Sequence, residues 1–274
     1  NGIWDKLEAL DSINQSTFED LNGTLKVASV STGKYIMPYF LTNFLQSNPG
    51  VNLSMDVTNK RSVTQSLDEN LIDFALPRQL KIIHFSTDFV FDGHQKSPYK
   101  ETVTPNPLNS YGQSKAKGEQ LLIQAKLPSV IIRTSWLFSP YGSNFVRSIL
   151  FKANRGEELK VVSDQYGTPT AGLDLAQAVL SILDHPALFE APIYHIAQGP
   201  PTSWYGFAQQ IVTLSGSKAA LSPILSEDYP TAAHRPHYAA LDTQRIQKNV
   251  SLSLRNWEDA LADCLQLIQA NDGL

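Results

Sequence analysis

The stretch 84–115 constrains the fold more than any other part of the chain, because it joins a buried strand to an amphipathic helix. The run 81–85 is short, apolar and rich in isoleucine, which is typical of a buried strand. The strand leads directly into Ser86, Thr87 and Asp88. Two hydroxyl groups and a carboxyl group are therefore expected where this strand ends.

An amphipathic helix is predicted to begin near Asn109 or Ser110, after a loop that contains two prolines. It carries Tyr111 and Lys115, whose spacing of four residues places them on one face of a helix. A hydroxyl, a phenol and an ammonium group can therefore converge at the end of the strand. Such a set can move a proton to or from a carbonyl oxygen while a hydride arrives from elsewhere.

The residue types suit this chemistry. A free tyrosine has a pKa of roughly 10, which is too high for efficient proton transfer near neutral pH. A neighbouring ammonium such as Lys115 favours the phenolate and lowers that pKa, so Tyr111 can donate a proton nearer the operating pH. The hydroxyl of Thr87 or Ser86 can hydrogen-bond the same substrate oxygen. Tyr-x-x-x-Lys alone is a loose pattern among ten tyrosines, and the preceding strand end favours a catalytic role over a chance match.

The alternation of strand and helix patterns predicts an α/β fold, with a Rossmann-like, doubly wound parallel sheet and a smaller C-terminal substrate-binding region. Residues 1–21 are predicted to form a helix or linker, 22–76 a βαβαβ segment, and 80–274 the catalytic and substrate-binding part. We expect 22–76 and 80–274 to share one sheet, in which the first strand is central and parallel to the strand before Ser86.

Hydrophobic periodicity places the individual elements. In the first segment, strands are predicted at 25–30, 51–57 and 72–76, and helices from 34 to about 46 and at 61–70. Beyond the Tyr111 helix, strands are predicted at 130–134, 159–162 and 193–196, helices at 142–154, 173–183, 204–214 and 257–268, and irregular structure at 219–242.

Composition excludes several classes of function. The 274 residues carry a formal net charge of −4, so no global basic field favours nucleic acid. No apolar run reaches the roughly 18 residues of a membrane span. Cys264 is the only cysteine, which predicts a buried structural thiol and fits a cytoplasmic location. No metal site is expected, because Pro236 separates the only close histidine pair, His234 and His237, in a loop without further ligands.

Several motifs occur in a fixed order between residue 80 and the C-terminus. They are His84-Phe85-Ser86-Thr87-Asp88-Phe89-Val90-Phe91, Pro107-Leu108-Asn109-Ser110-Tyr111-Gly112-Gln113-Ser114-Lys115, Arg133-Thr134-Ser135-Trp136, Asn144-Phe145, Asp164-Gln165-Tyr166-Gly167-Thr168-Pro169-Thr170 and Arg235-Pro236. Together they resemble the dTDP-4-dehydrorhamnose reductases of the extended short-chain dehydrogenase superfamily. The resemblance implies NADPH-dependent or NADH-dependent reduction at C4 of a dTDP-4-keto-6-deoxyhexose, and a homodimer is a possible assembly.

The same resemblance implies a role for each matching residue. Tyr111 would be the proton donor, Lys115 would bind the nicotinamide ribose and tune Tyr111, and Thr87 would bond the substrate oxygen, with Ser86 beside the cofactor. The residues expected to line or adjoin the nucleotide-sugar pocket are Asp88, Phe89, Trp136, Asn144, Gln165 and Arg235. A guanidinium such as that of Arg235 binds phosphate oxygens bidentately, which suits a diphosphate. Arg235 as a plain surface residue and Trp136 as plain core are the alternatives.

The N-terminal segment departs from this pattern. Such reductases open with a glycine-rich turn of the Gly-x-x-Gly-x-x-Gly type that holds the pyrophosphate at a helix N-terminus. After its first predicted strand, this chain offers only Ser31-Thr32-Gly33, which we expect to bind the cofactor weakly. The sequence 23–35, together with Asn48-Pro49-Gly50-Val51 and 57–61, instead resembles the start of a LysR-type effector-binding domain. In that family, the loop equivalent to 31–33 helps to bind a small anion.

Two classes of function therefore compete. The chain is either a sugar-nucleotide reductase or a catalytically inactive chimeric α/β protein that binds a nucleotide sugar or small anion. A transcriptional regulator would need a DNA-binding helix-turn-helix, which the sequence lacks. Titration with NADPH separates the first two, because only a reductase needs the cofactor.

Overall fold

The protein is described by a computed structural model. The model describes residues 23–29, 42, 45–46, 49–57, 82–126, 128–183, 185–190, 193–250 and 253–272. The fold is α/β, with parallel strands and helices, as predicted. The chain divides into two compact units, Asn1–Val63 and Thr64–Leu274. A sheet shared between the two units stays a prediction.

The first unit contains two parallel strands. β1 (Gly23–Ser29) pairs with β2 (Val51–Val57) in continuous register over seven residues. Parallel pairing requires a crossover connection, which agrees with the predicted strand–helix–strand order. Residues 42, 45 and 46 are helical, near the predicted end of the first helix. The predicted elements at 61–70 and 72–76 lie outside the described residues.

The second unit is built around a parallel sheet of β3 (Ile82–Thr87), β4 (Ser129–Thr134) and β9 (Ile193–His195), with β4 in the middle. All six residues of β4 are buried, because it has a neighbouring strand on each side. Its apolar run therefore shows no alternation, which is typical of parallel strands. The helix α1 (Ser110–Ala125) connects β3 to β4.

The other elements of this unit follow in chain order. The strands are β5 (Leu137–Phe138), β6 (Leu159–Val162), β7 (Tyr166–Gly167), β8 (Thr170–Ala171), β10 (Thr202–Ser203) and β11 (Leu221–Ile224). The helices are α2 (Phe145–Asn154), α3 (Gly172–Leu183), α4 (Trp204–Leu214), α5 (Gln244–Val250) and α6 (Trp257–Asp272). Among the described residues, no helix is both long and apolar enough to cross a membrane.

One group of buried apolar side chains joins α2, α4 and α6 to β6. Phe207 packs in its middle, with ring centroids 5.5 Å from Phe138 and 5.4 Å from Trp257. Cys264 is buried in the same group, as predicted. Burial raises the pKa of this thiol to about 12, so it is unreactive at neutral pH.

Two sequence predictions about these elements were wrong, and one helix was missed. The helix predicted from 142 begins only at Phe145, because Gly142 has a left-handed φ of 68° and Asn144 caps the helix. The segment 219–242 is not wholly irregular, since β11 pairs with β6 in parallel. Proline is tolerated in an edge strand, and Pro223 lies in β11, whose only described neighbour is β6. The short helix α5 was not predicted.

Candidate functional site

The carboxyl end of β3 presents a threonine and a buried carboxyl group. Thr87 caps the 3₁₀ turn Asp88–Val90: its Oγ1 accepts from the N–H of Phe89 at 3.2 Å and donates to Asp88 Oδ1 at 2.9 Å. Both side chains are buried, at 6% and 2% exposure. Thr87 and Asp88 lie at the end of the strand, as predicted, and the structure adds that their side chains are in direct contact.

Asp88 is the most perturbed carboxyl group of this region. Burial raises the pKa of Asp88 from 3.8 to about 7, although hydrogen bonds from Thr87 and from backbone N–H groups favour its charged form. Its Oδ2 atom has no hydrogen-bond partner among the described residues. A buried oxygen without a partner costs free energy unless a ligand group binds it. Asp88 can thus accept or donate a hydrogen bond to a bound molecule near neutral pH.

The first turn of α1 is fixed against this strand end. Asn109 caps the helix by accepting the N–H of Gly112 through Oδ1 at 2.9 Å. A Cβ atom at Gly112 would collide with the carbonyl oxygen of Phe89, so only glycine allows this approach. The ring of Tyr111 meets the ring of Phe89 edge-on, with centroids 5.9 Å apart. Tyr111 is therefore held beside the 3₁₀ turn that Thr87 caps.

Tyr111 and Lys115 lie one turn apart on α1, as their spacing predicted. Tyr111 is 42% exposed rather than part of an apolar core, and Lys115 is half-buried. These placements suit a phenol and an ammonium that meet a ligand. The convergence of Thr87, Tyr111 and Lys115 on one void stays a prediction.

A buried ion pair anchors the same helix to the sheet. Glu119 lies one further turn along α1 from Lys115, and its carboxylate accepts from Arg133 Nε at 2.9 Å and from Nη2 at 2.6 Å. Their side chains are 3% and 1% exposed. Ser86 Oγ donates to Glu119 Oε1, so strands β3 and β4 both bind this carboxylate. The sequence analysis did not predict this ion pair. One signal was available, since Glu119 follows Lys115 by four residues, as Lys115 follows Tyr111, and so lies on the same face of the helix.

His195 on β9 extends this network in its neutral form. Its Nδ1 lies 3.1 Å from the carbonyl oxygen of Tyr99 and 3.2 Å from that of Asp242, while Nε2 lies 3.5 Å from Arg133 Nη1. The neutral imidazole thus donates a hydrogen bond from Nδ1 and accepts one from the Arg133 guanidinium at Nε2. Burial and the charge of Arg133 lower the pKa of His195 to about 3. The neutral imidazole therefore adds no charge to the ion pair of Glu119 and Arg133.

We expect the single substitution Arg133→Met to lower the free energy of unfolding by about 3–5 kcal/mol, because it leaves the Glu119 carboxylate buried and unpaired. The double variant Glu119→Leu/Arg133→Met should recover most of that loss, since apolar pairs of similar volume often replace buried ion pairs without cost. Urea unfolding followed by circular dichroism measures both values.

The matched control is Arg155→Met. Arg155 is 63% exposed and its partner Glu157 is 43% exposed, so removing that surface pair should change stability by about 1 kcal/mol or less. If Arg133→Met and Arg155→Met destabilise the protein equally, the buried pair does not hold α1 to the sheet.

Two adjoining cavities, of about 250 Å³ and 540 Å³, share a wall formed by Gln165, Tyr229, Thr231 and Arg235. The smaller cavity is also lined by Phe145, Ser148, Ile149, Lys152, Lys160, Val161, Val162 and Trp204. These described lining residues include three cations and no carboxylate. Such a wall favours an anionic ligand with an apolar or aromatic part. Gln165 and Arg235, both predicted from the sequence, lie here, whereas Thr87, Tyr111 and Lys115 are not among the described lining residues of either cavity.

The predicted pocket residues Trp136 and Asn144 make structural contacts. Trp136 has a left-handed φ of 45° and stacks on Trp204 with ring centroids 3.5 Å apart, packed tightly against Gly167. It therefore supports the cavity through Trp204. Both N–H groups of the Asn144 amide are used: Nδ2 donates to the carbonyl oxygens of Ser139 at 2.7 Å and Tyr141 at 3.3 Å, while Oδ1 accepts from the N–H of Arg147. A ligand that accepts from this amide would have to displace one of the Nδ2 bonds.

Ser86 and the loop 31–33 were predicted from the sequence to contact the cofactor. Ser86 is 3% exposed and its hydroxyl is bound to Glu119, so it lies in the buried network rather than on an open surface. Ser31, Thr32 and Gly33 lie outside the described residues. Within the described part of the chain, no group of three or more histidine, cysteine or acidic side chains could hold a metal ion.

The parallel sheet, the strand-end hydroxyl and the tyrosine–lysine helix define a Rossmann-like α/β protein. Comparison with known families matches residues 55–270 to the RmlD substrate binding domain. The chain belongs to this family. Residues 18–83 also match the LysR substrate binding domain, in agreement with the second resemblance predicted from the sequence.

Relatives of known name cover most of the chain. A dTDP-4-dehydrorhamnose reductase of Aggregatibacter actinomycetemcomitans is 35% identical over 253 residues, which cover 89% of this chain and 86% of the relative. The spore coat polysaccharide biosynthesis protein SpsK of Bacillus subtilis is 40% identical over 184 residues, 67% of this chain and 63% of that protein. The chain thus spans somewhat less than two thirds of the second relative.

Solved structures of dTDP-4-dehydrorhamnose reductases are similar in fold to this chain. A dTDP-4-dehydrorhamnose reductase from Clostridium acetobutylicum has a TM-score of 0.73 at 27% identity, covering 89% of this chain and all of that one. A dTDP-4-dehydrorhamnose reductase from Bacillus anthracis, solved in complex with NADP, has a TM-score of 0.70 at 26% identity, covering 89% of this chain and 99% of that one.

Proposed function

We propose that this chain reduces the C4 carbonyl of a dTDP-4-keto-6-deoxy sugar with NADPH. The observation that carries the proposal is the contact between the Thr87–Asp88 strand end and the first turn of α1, which bears Tyr111. This contact places a phenol, a hydroxyl and a buried carboxyl group at one edge of the sheet. Relatives named as dTDP-4-dehydrorhamnose reductases and a neighbour solved with NADP support the choice of substrate and cofactor.

Each side chain at this site has its own role in the proposed reaction. Tyr111 supplies the proton that converts the C4 carbonyl oxygen into a hydroxyl. Thr87 Oγ1, which donates to Asp88 in this structure, can turn its hydrogen to the same oxygen. Asp88 Oδ2, buried and without a partner among the described residues, suits a sugar hydroxyl. The ammonium of Lys115 and the phenol of Tyr111 are donors that suit ribose hydroxyls, and bound NADPH would supply the hydride.

The cavity beside Arg235 suits the nucleotide end of the substrate. Lys152, Lys160 and Arg235 line it together with the ring of Trp204. A diphosphate carries negative charge that the three cations attract, and a guanidinium binds phosphate oxygens in pairs. The aromatic ring offers a face for a planar base. We therefore place the dTDP group in this cavity.

We expect Arg235→Gln to raise KM for the dTDP sugar by about 10- to 100-fold with a much smaller change in kcat. The physical reason is that a lost hydrogen bond to a charged group costs roughly 1.5–3 kcal/mol of binding, and binding common to ground and transition states changes KM alone. Initial rates of NADPH oxidation at 340 nm, measured over a range of dTDP-4-keto-6-deoxyglucose concentrations, give both constants.

Arg155→Gln is the matched control, since Arg155 is an exposed arginine that is not among the described residues lining either cavity. Equal effects of the two substitutions on KM would contradict the assignment of the cavity. If the wild-type chain binds dTDP but oxidises no NADPH at any substrate concentration, it is a nucleotide-sugar binding protein and the proposed reduction is wrong. A homodimer and a cytoplasmic location stay predictions.

A further inference from the structure

The cap of α1 makes a second contact that the proposed reaction does not explain. Asn109 accepts the N–H of Gly112 through Oδ1 at 2.9 Å, and its Nδ2 donates to the carbonyl oxygen of His234 at 2.7 Å. The side chain is 8% exposed; its bond to Gly112 is buried and its bond to His234 is partly buried. One amide group therefore bridges the first turn of the tyrosine helix and a loop 125 residues further along the chain.

The loop that Asn109 holds is the loop that carries Arg235. Arg235 follows His234 directly and lines both cavities. On its other side, Pro236 packs against Gly93, where an added Cβ would lie 2.6 Å from Pro236 Cβ. The backbone of Arg235 is thus fixed on both sides, by a hydrogen bond before it and by close packing after it.

The helix end of the bridge carries Tyr111. Asn109 is the cap residue, and Tyr111 is the second residue of the helix, next to Gly112 whose N–H the cap accepts. A change in the position of Asn109 therefore acts on the turn that carries the phenol. Because Nδ2 and Oδ1 belong to one rigid planar amide, movement of His234 and movement of this turn cannot be independent.

We propose that Asn109 is a positioning residue that couples nucleotide binding at Arg235 to the placement of Tyr111. This inference rests on the proposed function, because it takes the Arg235 cavity as the nucleotide site. Through Asn109, a loop drawn toward a diphosphate moves the helix turn that must present the phenol to the sugar.

Two variants separate the capping bond from the bridging bond. Aspartate and serine are good N-cap residues, so Asn109→Asp and Asn109→Ser should keep the bond to Gly112. Aspartate has no donor for the His234 carbonyl, and serine has a shorter side chain that cannot reach it. The melting temperature should therefore change little in Asn109→Ser and fall in Asn109→Asp, whose buried carboxylate faces the carbonyl oxygen of His234. The affinity for dTDP and kcat should fall in both variants. One neutral hydrogen bond corresponds to roughly a 2- to 10-fold change in an equilibrium.

The decisive measurement is a double-mutant cycle between positions 109 and 235, with dTDP affinity read by calorimetry and kcat by NADPH oxidation. Coupling predicts that Arg235→Gln weakens dTDP binding less in the Asn109→Ser background than in the wild type, by at least 3-fold, since serine removes the bridging donor without adding a charge. Asn249→Asp, at an exposed asparagine, is the control for the added charge in Asn109→Asp.

The outcomes are distinct. Additive effects of the two substitutions on dTDP affinity, or wild-type kcat and affinity in both position-109 variants, would overturn the coupling while leaving the proposed function intact. Failure of the wild-type chain to bind dTDP would overturn the proposed function and the coupling together. A loss of thermal stability in Asn109→Asp and Asn109→Ser with unchanged kcat and affinity would reduce Asn109 to a helix cap and also overturn the coupling.

Discussion

Substitution of Tyr111 by phenylalanine should lower kcat for reduction of the dTDP sugar by about 10²- to 10⁴-fold, the range typical of a lost general acid. The ring contact with Phe89 survives the substitution, because phenylalanine keeps the ring that lies 5.9 Å from it. Only the hydroxyl is removed, and with it the proton for the carbonyl oxygen. KM should change little, since this interaction strengthens only in the transition state.

The control is Tyr205→Phe, at a partly buried tyrosine that packs against the main apolar core. It should leave kcat within about 2-fold of the wild type, because a substitution away from the reacting groups usually has an effect of about 0.5 kcal/mol or less. Measurement at fixed NADPH, with the folded state of each variant checked by circular dichroism, isolates the chemical step. A Tyr111→Phe variant that retains more than about a tenth of the wild-type kcat would remove Tyr111 from its role as proton donor.

The affinity of this chain for NADPH should be two to six orders of magnitude lower than that of a reductase with an intact glycine turn. A glycine turn lets the backbone approach the pyrophosphate and direct N–H groups at it. The sequence offers Ser31, Thr32 and Gly33 in its place. Loss of two or three charge-assisted hydrogen bonds at roughly 1.5–3 kcal/mol each gives about 3–9 kcal/mol, which is the stated range in affinity.

The test is a fluorescence titration of NADPH against this chain and, in parallel, against the Bacillus anthracis reductase that was solved with NADP. Ser31→Gly/Thr32→Gly is the informative variant, because it returns small residues to the loop after the first strand. We expect it to tighten NADPH binding. Micromolar affinity in the unmodified chain would show that the existing loop serves as well as a glycine turn, and the prediction would then be wrong.

The prediction of weak NADPH binding concerns a loop that lies within the match of residues 18–83 to the LysR substrate binding domain. The family match to the RmlD substrate binding domain begins only at residue 55. The two family matches thus overlap at residues 55–83, and the match to the Aggregatibacter actinomycetemcomitans reductase covers 89% of this chain. NADPH affinity is therefore the property most worth measuring, because it tests whether Ser31, Thr32 and Gly33 can take the place of a glycine turn.

The sequence alone predicted the elements whose patterns are local. The apolar run of β4, the helix 204–214 and the start of α1 at Asn109 were all predicted, because periodicity and capping residues act over a few neighbours. Spacing also placed Tyr111 and Lys115 on one helix after a strand that ends in Thr87 and Asp88. The start of α2 was predicted wrongly because a positive φ at Gly142 is not visible in hydrophobic periodicity.

Only the tertiary structure decided which distant polar groups meet. Arg133 lies on a strand predicted from the sequence, but its pairing with Glu119 was not predicted, because the packing of α1 on β3 and β4 is what buries the two as an ion pair. Asn109 reads as a helix cap, and nothing in its neighbourhood indicates that it also binds the carbonyl of His234, 125 residues away. The buried Asp88, with a pKa of about 7, depends in the same way on what surrounds it. Periodicity reports which face of an element is buried, whereas the partners on that face are set by how elements far apart in sequence pack together.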